Sequence, residues 1–277
     1  MMLRPLLLLF FIFIAFVATS QSKAADSISS LVGSNTAFAI EIYGQLSKEP
    51  GGVVFSPYSI SKALAMAYVG ARNNTELQMT QVLHVDLGRE RFHRTFGELS
   101  RELENNARTG GYEYLSANSL WVQTGYGLQP DFLEVMENAY GSLPKEADFA
   151  SNPEAQRVSI NLWVEERTRA RISDLIAPGM ISGMTRLVLV NALYFKGKWA
   201  LKFDDKDTVR EDFTTATGKQ VNVPFMNQSA EFLYFEDDLA KVLAMDYSQN
   251  KFSMVFILPK MPDLRPFEKE LTTERLA

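Results

Sequence analysis

Apolar positions along this chain follow two spacings, and the change of spacing divides it. From about residue 35 to residue 176 they recur mostly every three or four residues, as on a helix face; after residue 186 they gather into short runs separated by turn residues. Phe38, Ile42 and Leu46 predict a helix over 35–46 with Asn35 as its N-cap. Val53-Val54-Phe55 predicts a short strand, and Ser56-Pro57-Tyr58-Ser59 opens a second helix with proline in the first turn. Residues 60–70 of that helix are apolar nearly all round, which suits the middle of a large domain. Phe92, Phe96, Leu99 and Leu103 form a further helical stripe, 118–122 predicts a strand, 130–140 a helix and 147–149 a short strand. Residues 152–176 form the clearest amphipathic helix, with Pro178-Gly179 as its stop.

From Leu187 to Phe195 the chain carries no charge and is rich in Val, Leu and aromatics, the pattern of a central strand buried on both faces. Asn191 interrupts it. A buried amide is costly unless its hydrogen-bonding sites find partners, so Asn191 is either a satisfied core amide or a polar latch. Strands follow at 220–226, 231–235, 242–247 and 252–258, with turns at Gly218-Lys219 and Gln249-Asn250 and a last helix over 262–270. Helices with interspersed strands, then a β-rich half, predict a mixed α+β domain.

The N-terminus changes the setting. Met1–Arg4 is positively charged, Leu6–Val17 has no polar side chain, and Ala18-Thr19-Ser20 and Ser22-Lys23-Ala24 follow. This reads as a secretory signal peptide over 1–24, cleaved after Ser20 or Ala24, with a retained signal anchor as the alternative. The mature domain, 25–277, is then expected to be extracellular, with no membrane contact once the leader is gone. Asn73-Asn74-Thr75 and Asn227-Gln228-Ser229 are glycosylation sequons, naming Asn73 and Asn227 as acceptors.

Composition narrows the chemistry. A net charge of -5 lacks the basic footprint of a nucleic-acid binder. The absence of cysteine excludes disulfides, thiol nucleophiles and thiolate metal sites. His84 and His93 are the only histidines, and without a Gly-x-Ser-x-Gly elbow they read as surface residues rather than parts of a hydrolase. Nothing calls for a cofactor or metal. Arg91, Arg94 and Arg101 interleave with Glu98, Glu102 and Glu104, which marks a solvated helix face; a glycosaminoglycan site is the alternative.

Four stretches, taken together and in order, resemble the serpin family of serine-protease inhibitors: 55–66 (Phe55-Ser56-Pro57-Tyr58-Ser59-Ile60 through Met66); 160–165 with Thr168 and Ile172; 187–197 with Trp199; and 252–259 (Phe252-Ser253-Met254-Val255-Phe256-Ile257-Leu258-Pro259). Phe203, Thr208 and Phe213 add to the match, which covers about 35–276. The resemblance implies a fold of three β-sheets and roughly nine helices, and an inhibitor rather than an enzyme. A reactive loop baits a serine protease, is cleaved, and inserts as a new strand into the largest sheet. It also implies that Ser56, Ser59 and Asn191 form a polar cluster under the sheet, with Asn191 buried close to Ser56 or Ser59, and that Trp199 marks the place where insertion begins. In the family, a further sheet strand, a small-residue hinge, the reactive loop and two buried strands follow the last helix. None of these is found before Ala277, so the resemblance implies an incomplete domain. The expected function is that of a secreted protease inhibitor lacking its loop; the alternative is a non-inhibitory serpin-like binding protein or an inactive truncated product.

Overall fold

In a computed structural model the described residues are 8–10, 23–48, 51–215, 218–261 and 263–276. They form two compact units. The signal-peptide residues lie outside the described set, apart from the strand Leu8–Phe10 and the helical residues from Lys23 onward.

The first unit carries helices α1 (Lys23–Leu46), α2 (Pro57–Tyr68), α3 (Asn73–Val82), α5 (Pro130–Tyr140) and α6 (Pro153–Arg167), and α4 (Arg89–Gly110) up to Arg108. Its sheet has the order β3-β2-β4, where β2 is Glu113–Gln123, β3 is Lys145–Ala147 and β4 is Leu187–Lys196. β3 runs parallel to β2, and β4 antiparallel to it, in register from Glu113 opposite Lys196 to Val122 opposite Leu187.

Local chemistry explains the helix ends. Ser56 caps α2 by accepting a hydrogen bond from the Ser59 amide, and Pro57 gives up no needed donor in the first turn. α5 starts on Pro130 and stops at Gly141, whose φ of 60° lets its own amide and that of Ser142 bond back to Glu137 and Met136. The α4 stripe holds: Phe92, Phe96, Leu99 and Leu103 are all buried, with the Phe92 and Phe96 rings edge to face. Ile160 and Val164 of α6 pack with Ala117, Trp121, Phe149, Val190 and Ala192 of the sheet side.

Several sequence expectations are corrected. α1 begins at Lys23, twelve positions ahead of Asn35, so Asn35 is no cap; its side chain instead accepts a hydrogen bond from Ser61 Oγ at 2.6 Å. Val53-Val54-Phe55 is irregular, and Val54 stands exposed. The short strand falls at 145–147 rather than 147–149. α6 ends at Arg167, not Ile176. Thr168 turns its hydroxyl to the Val164 carbonyl, Arg169 and Ala170 adopt φ of 51° and 57°, and the chain folds back along the helix. Asn161 holds the returning segment with paired 2.9 Å bonds to the carbonyl and amide of Ile176. β4 is not central but an edge strand: only Val190 and Ala192 are fully buried, because β2 alone pairs with it among the described residues. The central strand is β2. His93 is buried rather than on the surface.

The second unit holds a sheet of order β1-β9-β8-β7, built from Leu8–Phe10, Ser253–Pro259, Ala240–Asp246 and Leu233–Glu236. A separate hairpin pairs β5 (Val209–Thr214) with β6 (Gln220–Phe225). Helices α7 (Arg265–Lys269) and α8 (Thr273–Leu276) follow, with Phe267 buried. Asp237 shapes the β7–β8 turn by accepting bonds from the amides of Leu239 and Ala240, both at 2.8 Å. Tyr112 belongs to this unit and sets its ring edge-on to Phe252.

Candidate functional site

The four residues singled out for gating fall in two places. Ser56 and Ser59 open α2, with Ser59 buried and its amide bound by the Ser56 hydroxyl at 3.3 Å. Ser61, one turn on, bonds both Asn35 and the Tyr58 carbonyl. α2 packs against β4 within the first unit.

Asn191 lies half-buried on β4, directly opposite Asn118 of β2. Its amide nitrogen donates to Asn118 Oδ1. Asn118 in turn donates to Ser116 Oγ at 2.8 Å, and its backbone carbonyl accepts from Ser142 Oγ at 3.3 Å. The resemblance implies an Asn191 buried close to Ser56 or Ser59; it is half-buried on the strand against which α2 packs, and its hydrogen bond goes to Asn118. Its partner is across the sheet, because a cross-strand pair brings two side chains closer than a strand and a helix below it. This amide bond ties β4 to β2.

Sequence reasoning passed over Tyr114, Ser116 and Asn118. They occupy every second position of β2 and so share one face, a polar stripe that the period of two could have revealed. Tyr114 bonds Ser116 and the hydroxyl of Tyr58 in α2, and Tyr58 Oη shares a 2.8 Å bond with Ser100 Oγ of α4. Burial pushes the Tyr58 hydroxyl up to about 12 and raises that of Tyr114 further still, so both remain neutral donors and acceptors.

Trp199 belongs to the second unit. Its indole stacks on Tyr247 at 4.5 Å, nearly parallel, beside a backbone bridge between the same two residues, and Phe203 and Phe256 close the aromatic group. Asn73 is exposed at the start of α3 with φ of 53°. Asn227 is exposed too, but its amide nitrogen donates to the carbonyls of Asp207 and Phe225, each at 3.2 Å.

The α4 arginines are partly engaged: Arg91 Nε donates to Ser27 Oγ at 2.8 Å, and Arg94 lies 3.8 Å from Glu90. His93 Nδ1 pairs with Tyr140 Oη at 2.6 Å inside a cluster of Tyr68, Phe92 and Phe96. Burial, aided by the nearby Arg89 charge, lowers the His93 imidazole to about 3 and keeps it neutral.

The profile of the serpin family (serine protease inhibitor) matches residues 33–277, and the chain belongs to that family. It is 35% identical over 254 residues to an uncharacterised serpin-like protein of Methanosarcina mazei, covering 90% of this chain and 59% of the relative. It is 36% identical over 258 residues to human leukocyte elastase inhibitor, covering 90% of this chain and 67% of that protein. The solved structure of maspin superposes with a TM-score of 0.84 at 28% identity, over 91% of this chain and 68% of maspin. The chain thus spans about three fifths of the length of the archaeal relative it matches.

Proposed function

We propose that this chain provides the scaffold of a secreted inhibitor of serine proteases that works by conformational trapping. The protease cleaves a bait loop, and that loop joins the sheet beside β4 while still attached to the enzyme. The observation that carries the reading is the place of β4: a ten-residue strand at the sheet edge, half-exposed along most of its length and pinned to β2 at Asn191. An added strand would satisfy backbone groups and bury apolar side chains there, which supplies the driving force for trapping. The human relative named for leukocyte elastase supports a serine protease as the target class.

The test supplies the loop. The segment of human leukocyte elastase inhibitor that follows its matched portion is joined to Ala277, and the chimera is incubated with elastase beside the polypeptide 1–277. The chimera is expected to give a detergent-stable band at the summed mass, and 1–277 none with trypsin-, chymotrypsin- or elastase-like enzymes. A folded chimera that is merely cleaved would favour a non-inhibitory binding protein.

A further inference from the structure

Lys62 sits on α2 with only 3% of its surface exposed. Among the described residues no carboxylate or carbonyl accepts a hydrogen bond from its ammonium group; the side chain lies over the Tyr58 ring, 5.8 Å from the centroid. A buried cation with one aromatic face for a partner is poorly compensated. Among the described residues, Glu104 of α4 is exposed and supports the charge from a distance, Tyr58 is on the same helix, and Tyr114 of β2 bonds Tyr58. Both hydroxyls stay neutral, so Lys62 is the group whose charge changes.

Tyr58 is also a link in a continuous polar chain. Ser100 of α4 bonds Tyr58, Tyr58 bonds Tyr114, Tyr114 bonds Ser116, Ser116 accepts from Asn118, and Asn118 accepts from Asn191. The ring that faces the buried charge therefore carries the hydroxyl at one end of a connection to the edge strand.

We propose that the charged Lys62 side chain is a loosening element for the sheet edge: it weakens the Tyr58–Tyr114–Asn118–Asn191 chain, and removing its charge tightens the pairing of β4 with β2. This rests on the reading of β4 as the strand beside which another is admitted. Burial lowers the Lys62 amine from 10.5 to about 8. The folded state therefore disfavours the charged form; the penalty is complete below about pH 8 and is lifted as pH rises toward 10.5. Such a displacement makes roughly three hundredfold in stability available, part of it at β4.

The test is amide hydrogen exchange on 1–277, expressed as protection factors so that the intrinsic pH dependence cancels. Lys62→Met is expected to raise the protection of the β4 amides at least about tenfold at pH 7, and to give little gain at pH 10.5, where the wild-type amine has lost its proton. Lys62→Arg, charged at both pH values, should show no such pH-dependent gain. In a Tyr114→Phe background the Lys62→Met gain should persist in α2 but vanish from β4. A gain confined to α2 in the wild-type background, or equal gains at both pH values, would overturn the proposal. The readout needs no protease, so it fails or succeeds independently of the chimera assay.

Discussion

Asn191 and His93 show how a single polar side chain is accommodated in an apolar setting. Asn191 is matched by Asn118 across the strand pair, and its replacement by Leu strands one amide. We expect Asn191→Leu to cost about 1–3 kcal/mol, and Asn118→Leu in addition to recover part of that loss. Denaturant unfolding of the two single variants and the double variant measures it; strict additivity would deny the pairing. His93 is a different case, since it survives in the core only when neutral. Its folded value, about 3, lies below the unfolded 6.5, so the unfolded chain binds the proton first and stability is lost as pH falls from 6.5 toward 3. Between pH 6.5 and 5 this one residue should remove about 2 kcal/mol. Replacing His93 and Tyr140 together by Phe should flatten that part of the pH profile, and an unchanged slope would assign the acid sensitivity elsewhere.

At the scale of elements, the end of α6 is the informative place. The apolar spacing continues past Arg167 into Ile172 and Leu175, yet the helix stops because Asn161 offers the Ile176 backbone a pair of bonds that a continued helix could not provide. The turn costs two residues in the left-handed region, Arg169 and Ala170. A side chain with a Cβ is disfavoured there by about 1–2 kcal/mol. Ala170→Gly is therefore expected to raise stability by about 0.5–1 kcal/mol after allowing for the extra freedom of glycine in the unfolded chain. A lower melting temperature for Ala170→Gly would show that the turn is not strained. The polar stripe of β2 is the second lesson at this scale: three residues spaced by two, unremarkable singly, join three elements when the strand presents them together.

For the whole molecule the decisive questions concern processing and reach. The apolar leader predicts that secreted material begins at Gln21 or Ala25, and N-terminal sequencing of medium from expressing cells checks it. Membrane-bound protein that still carries Met1 would favour the anchor instead. Among the described residues no helix is long and apolar enough to cross a membrane.

Much was legible in the chain itself. The bounds of α5, the buried stripe of α4, the proline-led start of α2 and the order of the late strands all follow from spacing and turn residues, because these report local geometry and which face is apolar. The four motif stretches pointed to the family for the same reason: each is a local pattern. What periodicity does not report is which element covers a given face. Whether the run 187–195 is central or at an edge depends on what pairs beside it, and β2 alone does so among the described residues. The partner of Asn191 depended on strand register, and the burial of Lys62 and His93 on helices brought together from distant parts of the sequence. Those are contacts between segments far apart in the chain, and only the folded arrangement specifies them.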